Sequence, residues 1–416
     1  MAQILKRKKF LAIIALVVVV LAAVGGYMYT YYLSPRSEAI NVGMVTSLTG
    51  PGSFGGTRYS WGVKLWADTV NQQGGIFVRD LGRALPINLI VYDDTTDPAL
   101  SKSLVGKLAT VDKVSVIIGG MNTPLCSATL PDIDRYQIPN ICSSGTSSLW
   151  GMGWKYAFSP MLSEKDQGTI QARFISSIQP RPTKLAIIMA QSSYVVGVIN
   201  DGMRPILKDS GFEIVYDQTY AAGTTDFTPL LTQAKAANPD GILLGSYIAD
   251  CIVELRQMRA VNFRPKLVWM LGMWDAGSLI SAEKDDANGV VGLTTWNPAL
   301  LTTAWPSQKD WLQRVQDKYG VNATYDQNVF EGIGDGQVLQ AAIEKAGSLN
   351  NDKIVAAMKT LDVITARGEW TTNEFHQNPK SPLIVIQVQA GKQVVVWPLE
   401  YSNAKLIYPL QPWTSS

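Results

Sequence analysis

The chain has 416 residues, of which 46% are hydrophobic and 17% charged, and its formal net charge is +2. That length exceeds one average domain and fits two lobes of roughly 150–200 residues, each with enough apolar material for a core. The near-neutral balance speaks against a nucleic-acid partner, which calls for a concentrated basic face.

The obvious basic run, Lys6-Arg7-Lys8-Lys9, has another explanation, because Phe10 to Pro35 follows it without a single charge. A signal peptide has an apolar core of roughly 7–15 residues and a small-residue cleavage site. A membrane anchor needs about 20 apolar residues, often closed by interfacial aromatics. Here the run reaches Leu33 and ends among Tyr27, Tyr29, Tyr31 and Tyr32, while Ala22-Ala23-Val24-Gly25 leaves cleavage open. The favoured expectation is an uncleaved anchor over residues 10–33, with everything after Ser34 outside the cell. The alternative is secretion to the periplasm or cell surface. No cysteine follows the run closely, which excludes maturation as a bacterial lipoprotein.

From Ile40 onward, short β-rich runs alternate with helical spacing. Ile40–Leu48, Pro86–Asp94, Val114–Gly120 and Pro139–Ser144 read as buried strands, separated by helices over Arg58–Gln73, Pro98–Asp112 and Cys126–Tyr136. The pattern then restarts. Lys184–Ala190, Glu213–Tyr220, Gly241–Tyr247 and Lys266–Leu271 are expected strands, with helices over Val195–Ser210, Phe227–Ala237 and Asp250–Val261. Such alternation implies an α/β fold of two open parallel sheets with helices on both faces. Lys309–Tyr319, Asp335–Ala346 and Asp352–Leu361 then read as three helices, and a hairpin of Leu383–Gln389 and Gln393–Leu399 follows. A chain of this kind crosses between lobes more than once, and the crossovers are expected near Ser159-Pro160, Thr294–Asn297 and Trp370–Asn373. The expected division is residues 1–37 as the N-terminal segment, 38–159 plus about 297–371 as lobe one, and 160–296 plus about 372–416 as lobe two.

Open α/β sheets bind ligands beyond the carboxyl ends of their strands. In lobe one those ends carry Ser47–Ser53, Gly119–Pro124 and Cys142–Ser148, all rich in hydroxyls and small residues. One such loop is an ordinary turn or helix cap. Three that converge make a cradle for a carboxylate or another polar head. Cys126, Cys142 and Cys251 are an odd count, so no disulfide framework is implied and all three read as buried thiols. The single histidine, His376, lies in a polar stretch and reads as a neutral surface residue. Neither a metal site nor a cofactor is expected. No phosphate loop, Gly-x-Ser-x-Gly elbow or paired-histidine motif occurs, so no catalytic residue is assigned.

The loops and their order resemble the solute-binding proteins of branched-chain amino acid and amide ABC transporters, the leucine/isoleucine/valine-binding protein family with the type I periplasmic-binding-protein fold. The residues that carry the resemblance include Gly43-x-x-x-x-Leu48-Thr49-Gly50-Pro51, Asn71-x-x-Gly74-Gly75-Ile76, Tyr92-Asp93-Asp94-Thr95-Thr96-Asp97-Pro98 and Ile138-Pro139. Ser144-Gly145-Thr146, Gly223-Thr224-Thr225-Asp226-Phe227, and the closing Trp397-Pro398 and Tyr408-Pro409 complete the set, which runs from Ile40 to Trp413. The resemblance implies ligand-head contacts at Thr123, Ser144, Gly145 and Thr146, with Thr146 giving both a hydroxyl and an amide. It implies aromatic covers at Tyr194 and Tyr247. The acidic residue that amino-acid binders place on the ligand's ammonium falls on Asp275, out of clean register, with Asp250 as the alternative. A disulfide common among relatives is absent here, since its two places hold Thr96 and Asn122.

The expectation is therefore a non-enzymatic, extracytoplasmic binding component of an ABC-type uptake transporter. It would take an amino acid or a related small polar solute by hinge closure and deliver it to permease subunits. The runners-up are a ligand-sensing receptor of the same fold and a binder of an amide, urea or organic acid.

Overall fold

The computed structural model describes residues 38–413, so the expected membrane segment over residues 10–33 lies outside them. Among the described residues no helix is long and apolar enough to cross a membrane. The first half runs β1 (Ile40–Thr46), α1 (Ser53–Gln72), β2 (Ile76–Val78), β3 (Arg83–Leu85), β4 (Ile87–Asp93), α2 (Pro98–Thr110), β5 (Val116–Gly119), α3 (Thr123–Tyr136), β6 (Asn140–Ile141), the single turn α4 (Ser147–Trp150) and β7 (Ala157–Phe158). Next come α5 (Glu164–Ser177), β8 (Lys184–Ala190) and α6, which opens as Ser193–Val196 and passes through a π-helical Gly197–Met203 into Arg204–Asp209. They are followed by β9 (Glu213–Tyr220), α7 (Thr228–Ala236), β10 (Gly241–Gly245), α8 (Ile248–Ala260), β11 (Leu267–Met270), α9 (Ala276–Glu283) and β12 (Val291–Thr294). The last third holds α10 (Ala299–Thr303), α11 (Asp310–Tyr319), α12 (Gln327–Ala346), α13 (Asn351–Lys359), a small β13 (Val363–Thr365) and β14 (Gly368–Trp370) pair, then β15 (Ile384–Gln389) and β16 (Lys392–Trp397).

One sheet has the order β4-β1-β5-β6-β7 and the other β16-β15-β12-β11-β10-β8-β9. The inner strands β5, β10, β11 and β12 are buried along their whole length, which is why they read as short continuous apolar runs. Parallel pairing joins β1 to β5 and carries on through β6 and β7. In the second sheet it joins β9, β8, β10, β11 and β12.

The second sheet is not wholly parallel, which corrects the expectation. β15 pairs antiparallel with both β12 and β16. A tight turn through Ala390 and Gly391, both at positive φ, returns the chain directly, and only antiparallel strands can be joined so. Several elements also went unread in the sequence, among them α5, α9, β12 and the short pairs β2–β3 and β13–β14. Helix α5 had a usable signal, because Ser163 caps it by accepting the Asp166 N–H at 3.1 Å and donating to its carboxylate at 2.6 Å.

The family-like motifs prove to be clamps. Asn71 holds the start of β4 through both its amide atoms, to Ile87 O at 2.9 Å and from Ile87 N–H at 2.6 Å. Asp93 gathers the loop after β1, accepting from Leu48 N–H at 2.9 Å and from the Thr49 hydroxyl at 2.6 Å. Asp94 accepts the Ser47 hydroxyl at 2.7 Å.

The chain passes between the two sheets three times: after β7, after β12 and before β15. Its return after β12 lays α11 and α12 against α1, where Trp61 stacks on Tyr319 with ring centroids 4.6 Å apart. Where the first and third passages meet, the Ser159 N–H donates to His376 O at 2.8 Å and Asn378 N–H to Ser159 O at 3.0 Å. His376 is thus not the neutral surface residue expected. It is half-buried, its ring stacked on Phe158 at 4.5 Å and its Nδ1 3.1 Å from Ala157 O. The polar sequence around it covers this junction, so local polarity gave no sign of the contact.

Candidate functional site

A cavity of about 460 Å³ lies between the carboxyl ends of the two sheets. Lobe-one loops after β1, β5 and β6 supply Ser47, Gly52, Asn122, Thr123, Ser143, Ser144 and Gly145. Loops after β8, β10 and β11 supply Ser192, Tyr194, Tyr247, Trp274 and Asp275 from the other side. Six of the seven residues expected at the site, Thr123, Ser144, Gly145, Tyr194, Tyr247 and Asp275, line this one cavity.

Thr146 does not. It is 3% exposed, and its hydroxyl lies 2.8 Å from Thr123 Oγ1, which is itself 2.9 Å from Ser144 Oγ. Thr123 is thus the hydroxyl at the cavity and Thr146 stands behind it. The cause is local: the chain turns into α4 immediately after Thr146, which carries the side chain inward. The amides beyond it are also engaged. Ser147 N–H donates to both Glu164 carboxylate oxygens, at 2.9 and 2.7 Å, and the Ser147 hydroxyl donates to Oε2 at 2.7 Å. Glu164 in turn gives its own N–H to Gly145 O at 3.0 Å. Gly145 is needed for this approach, because a Cβ there would lie 2.8 Å from Gln167 Nε2 and from Leu162 O.

The lobe-two wall is aromatic. Trp274 packs its ring edge-on to Tyr194 at 6.3 Å and to Tyr247 at 6.2 Å. Tyr194 donates its hydroxyl to Gln167 Oε1 at 2.6 Å, and burial holds its ionisation well above the usual phenol range. Asp275 caps α9 by accepting the Ser278 N–H at 3.3 Å. Burial pushes its carboxyl up to about 6, with the Asp326 carboxylate adding to the shift and Arg58 opposing it. Asp250 serves elsewhere, accepting the Tyr220 hydroxyl at 2.9 Å.

The floor holds residues that sequence reasoning missed. Glu331 on α12 lines the cavity, accepts the Ser143 hydroxyl, and lies 3.7 Å from Arg367 Nη2. Arg367 also donates to Pro160 O at 2.6 Å, at the first passage between the sheets. One turn beyond Glu331, Asp335 accepts the Tyr59 hydroxyl at 2.6 Å and is held well above the ordinary carboxylate range by burial and by Glu331. Two carboxylates at (i, i+4) among the apolar and glycine residues of the helix's first half were the available signal.

The cysteines require a correction. Cys126 and Cys142 form a disulfide and Cys251 alone is a buried free thiol. Cys126 lies in the first turn of α3 and Cys142 just past β6; parallel pairing of β5 with β6 brings these positions together. An odd count over a long chain could not show that proximity. Among the described residues no group of three or more His, Cys, Asp or Glu is placed to hold a metal ion.

Two α/β sheets joined by three passages, with a polar and aromatic cavity between their carboxyl ends, define a two-lobed small-molecule binding protein. A family model described as periplasmic binding protein matches residues 39–393, and the chain belongs to that family. It is 22% identical over 384 residues to "Leu/Ile/Val-binding protein homolog 7" of Brucella abortus, covering 88% of this chain and 93% of the relative. It is likewise 22% identical over 349 residues to the leucine-, isoleucine-, valine-, threonine- and alanine-binding protein of Pseudomonas aeruginosa, covering 82% and 87%. In fold it is similar to the branched-chain amino acid transporter substrate binding protein LivJ of Streptococcus pneumoniae, crystallised with isoleucine, at a TM-score of 0.76, 21% identity and coverage of 89% and 100%. A solute binding protein of an ABC transporter from R. palustris, crystallised with benzoate, aligns at 0.71 with 19% identity over 86% and 95%. These relatives are binding proteins and not enzymes, and the family is one of extracytoplasmic proteins.

Proposed function

We propose that the chain is the solute-binding component of an ABC-type uptake transporter, taking an amino acid or related small polar solute by hinge closure. The observation that carries this is the cavity itself: hydroxyls of one lobe face aromatic rings of the other across it. The lobes are residues 38–159 plus about 297–371, and 160–296 plus about 372–416, hinged at the three passages. Ligand docks on the Thr123 and Ser144 hydroxyls and Gly145; Tyr194 and Tyr247 then swing over it. The ligand favours closure only through the contacts it gains in the closed form. The closed form is what permease subunits would recognise.

An extracytoplasmic setting agrees with the buried Cys126–Cys142 disulfide, a bond that persists in oxidising compartments. Residues 10–33 would tether the protein to the membrane with the binding lobes outside. Native mass spectrometry of protein purified from its own cells tests the function. One small molecule per chain is expected, released chemically unchanged on unfolding. Sub-stoichiometric protein that converts the released molecule would refute it.

A further inference from the structure

The cavity floor carries hydrogen-bonding groups that the protein itself leaves unfilled. Helix α12 brings Gln327, Asn328 and Glu331 to it, and the passage after β12 brings Thr294 and Thr295. Gln327 is 9% exposed, and its Oε1 takes the Thr294 hydroxyl at 3.1 Å, the Thr295 hydroxyl at 3.0 Å and the Thr295 N–H at 3.3 Å. A backbone N–H can only donate, so the Gln327 oxygen must face Thr295 and its Nε2 must point away. Among the described residues that Nε2 meets no acceptor, although the side chain lines the cavity.

Glu331 stands at (i, i+4) from Gln327, on the same face of the helix. It is 3% exposed. One oxygen accepts the Ser143 hydroxyl, and the other, Oε2, lies 3.7 Å from Arg367 Nη2, beyond hydrogen-bond reach. Arg367 directs its Nη1 to Pro160 O at 2.6 Å and its Nη2 to Met161 Sδ at 3.3 Å, so it gives Glu331 charge but no N–H. Burial and Glu331 push Asp335 up to about 8, which leaves Arg367 to balance Glu331 alone. The floor is therefore close to charge balance, with the Gln327 amide N–H groups and one Glu331 oxygen unfilled. Groups so placed select a partner, because an apolar ligand end would leave them buried and unpaired.

Resting on the solute-binding reading, we infer that Gln327 and Glu331 set the specificity of this site: the ligand is an amino acid whose side chain ends in a carboxamide, its carbonyl oxygen accepting from Gln327 Nε2 and its N–H donating to Glu331 Oε2. A branched aliphatic end of the same outline satisfies neither group, and a carboxylate end meets Glu331 with like charge. The hydroxyl cradle and Asp275 stay available to the ligand's other groups.

Calorimetry on the full-length chain with two matched series tests this. Asparagine, aspartate and leucine share one branched outline and differ in its end; glutamine, glutamate and homoleucine do the same one methylene longer. In the tighter-binding series the amide should bind at least tenfold more tightly than both partners. Gln327→Met should reduce the preference for amide over aliphatic at least tenfold. Glu331→Gln replaces the acceptor by a donor and should shift the preference from amide towards acid at least tenfold, which a merely structural role would not do. Should either variant fail to fold, the wild-type series still decides. An aliphatic or acidic member that binds as tightly as its amide overturns the inference, as do preferences that survive both substitutions. Failure of both amides to bind overturns it too, and the native mass spectrum of the co-purified molecule then shows whether the solute-binding reading falls with it.

Discussion

Asp275 is the residue whose energetics are most readily tested, because its two roles oppose each other. As the cap of α9 it stabilises a helix end; as a carboxylate in a half-apolar cleft beside Asp326 it prefers to be neutral. Its folded value of about 6 lies above the ordinary carboxylate value of 3.8. The folded state thus binds a proton that the unfolded chain has released, and the associated stability is complete below pH 4 and lost as pH rises through 6. Asparagine keeps the cap and cannot ionise. Asp275→Asn should therefore raise the melting temperature of the ligand-free protein at pH 7.5 by a few degrees, corresponding to about 1–3 kcal/mol. At pH 4 it should leave the melting temperature unchanged. Melting curves at the two pH values check this, and an equal shift at both would show that packing, not charge, is responsible.

At the scale of elements, the cradle depends on the disulfide. The bond ties the first turn of α3 to the chain leaving β6, and these two segments carry Asn122 and Thr123 on one side and Ser143 and Ser144 on the other. Reduction frees both at once. A closed loop of this length contributes about 3 kcal/mol through the entropy of the unfolded chain. The double change Cys126→Ala and Cys142→Ala should lower the denaturant midpoint accordingly, and reductant should do the same to the wild type but not to the variant. Equal midpoints in all three samples would contradict the expectation. The other side of lobe one is set by a close helix crossing. At Gly62 a Cβ would lie 2.0 Å from Val329 O, and at Gly332 one would lie 2.3 Å from Tyr59 O. Glycine at both places lets α1 and α12 approach backbone to backbone, and this brings Glu331 to the cavity floor while α1's first turn forms its rim.

For the whole molecule, the proposed hinge closure turns on what bridges the lobes. Tyr194 reaches from the start of α6 to within 3.6 Å of where a Cβ at Gly145 would stand, so it packs against the lobe-one loop directly. Under that proposal it would contribute little to initial docking and much to holding the cleft shut. Tyr194→Ala should weaken binding roughly tenfold through faster dissociation. It should also reduce the ligand-induced compaction seen by small-angle scattering. A variant that compacts as fully as the wild type would remove Tyr194 from the closing contact. The Arg367 guanidinium touches both Glu331 in the cavity and Pro160 O at the first passage, so the proposed motion would be felt at the floor.

The amino-acid sequence alone determined the alternation of strands and helices, and with it the α/β class and the carboxyl-end location of the site. These follow from periodicity and turn residues within a dozen positions of each other, a range over which local sterics and burial dominate. Lys184–Ala190 and Glu213–Tyr220 appear with the expected bounds for that reason. The hydroxyl loops were legible because they sit at strand ends, whereas the aromatic pair came only from the family resemblance. Tertiary structure alone decided the rest. Whether Thr123 or Thr146 faces the cavity depends on how tightly the chain turns into α4. The pairing of Cys126 with Cys142 depends on which strands lie side by side. Glu331 became a site residue because α12, whose Asp335 lies 276 positions after the Tyr59 of α1 that it bonds, packs across that helix. Each of these is fixed by contacts between segments far apart in the chain, about which local pattern carries no information.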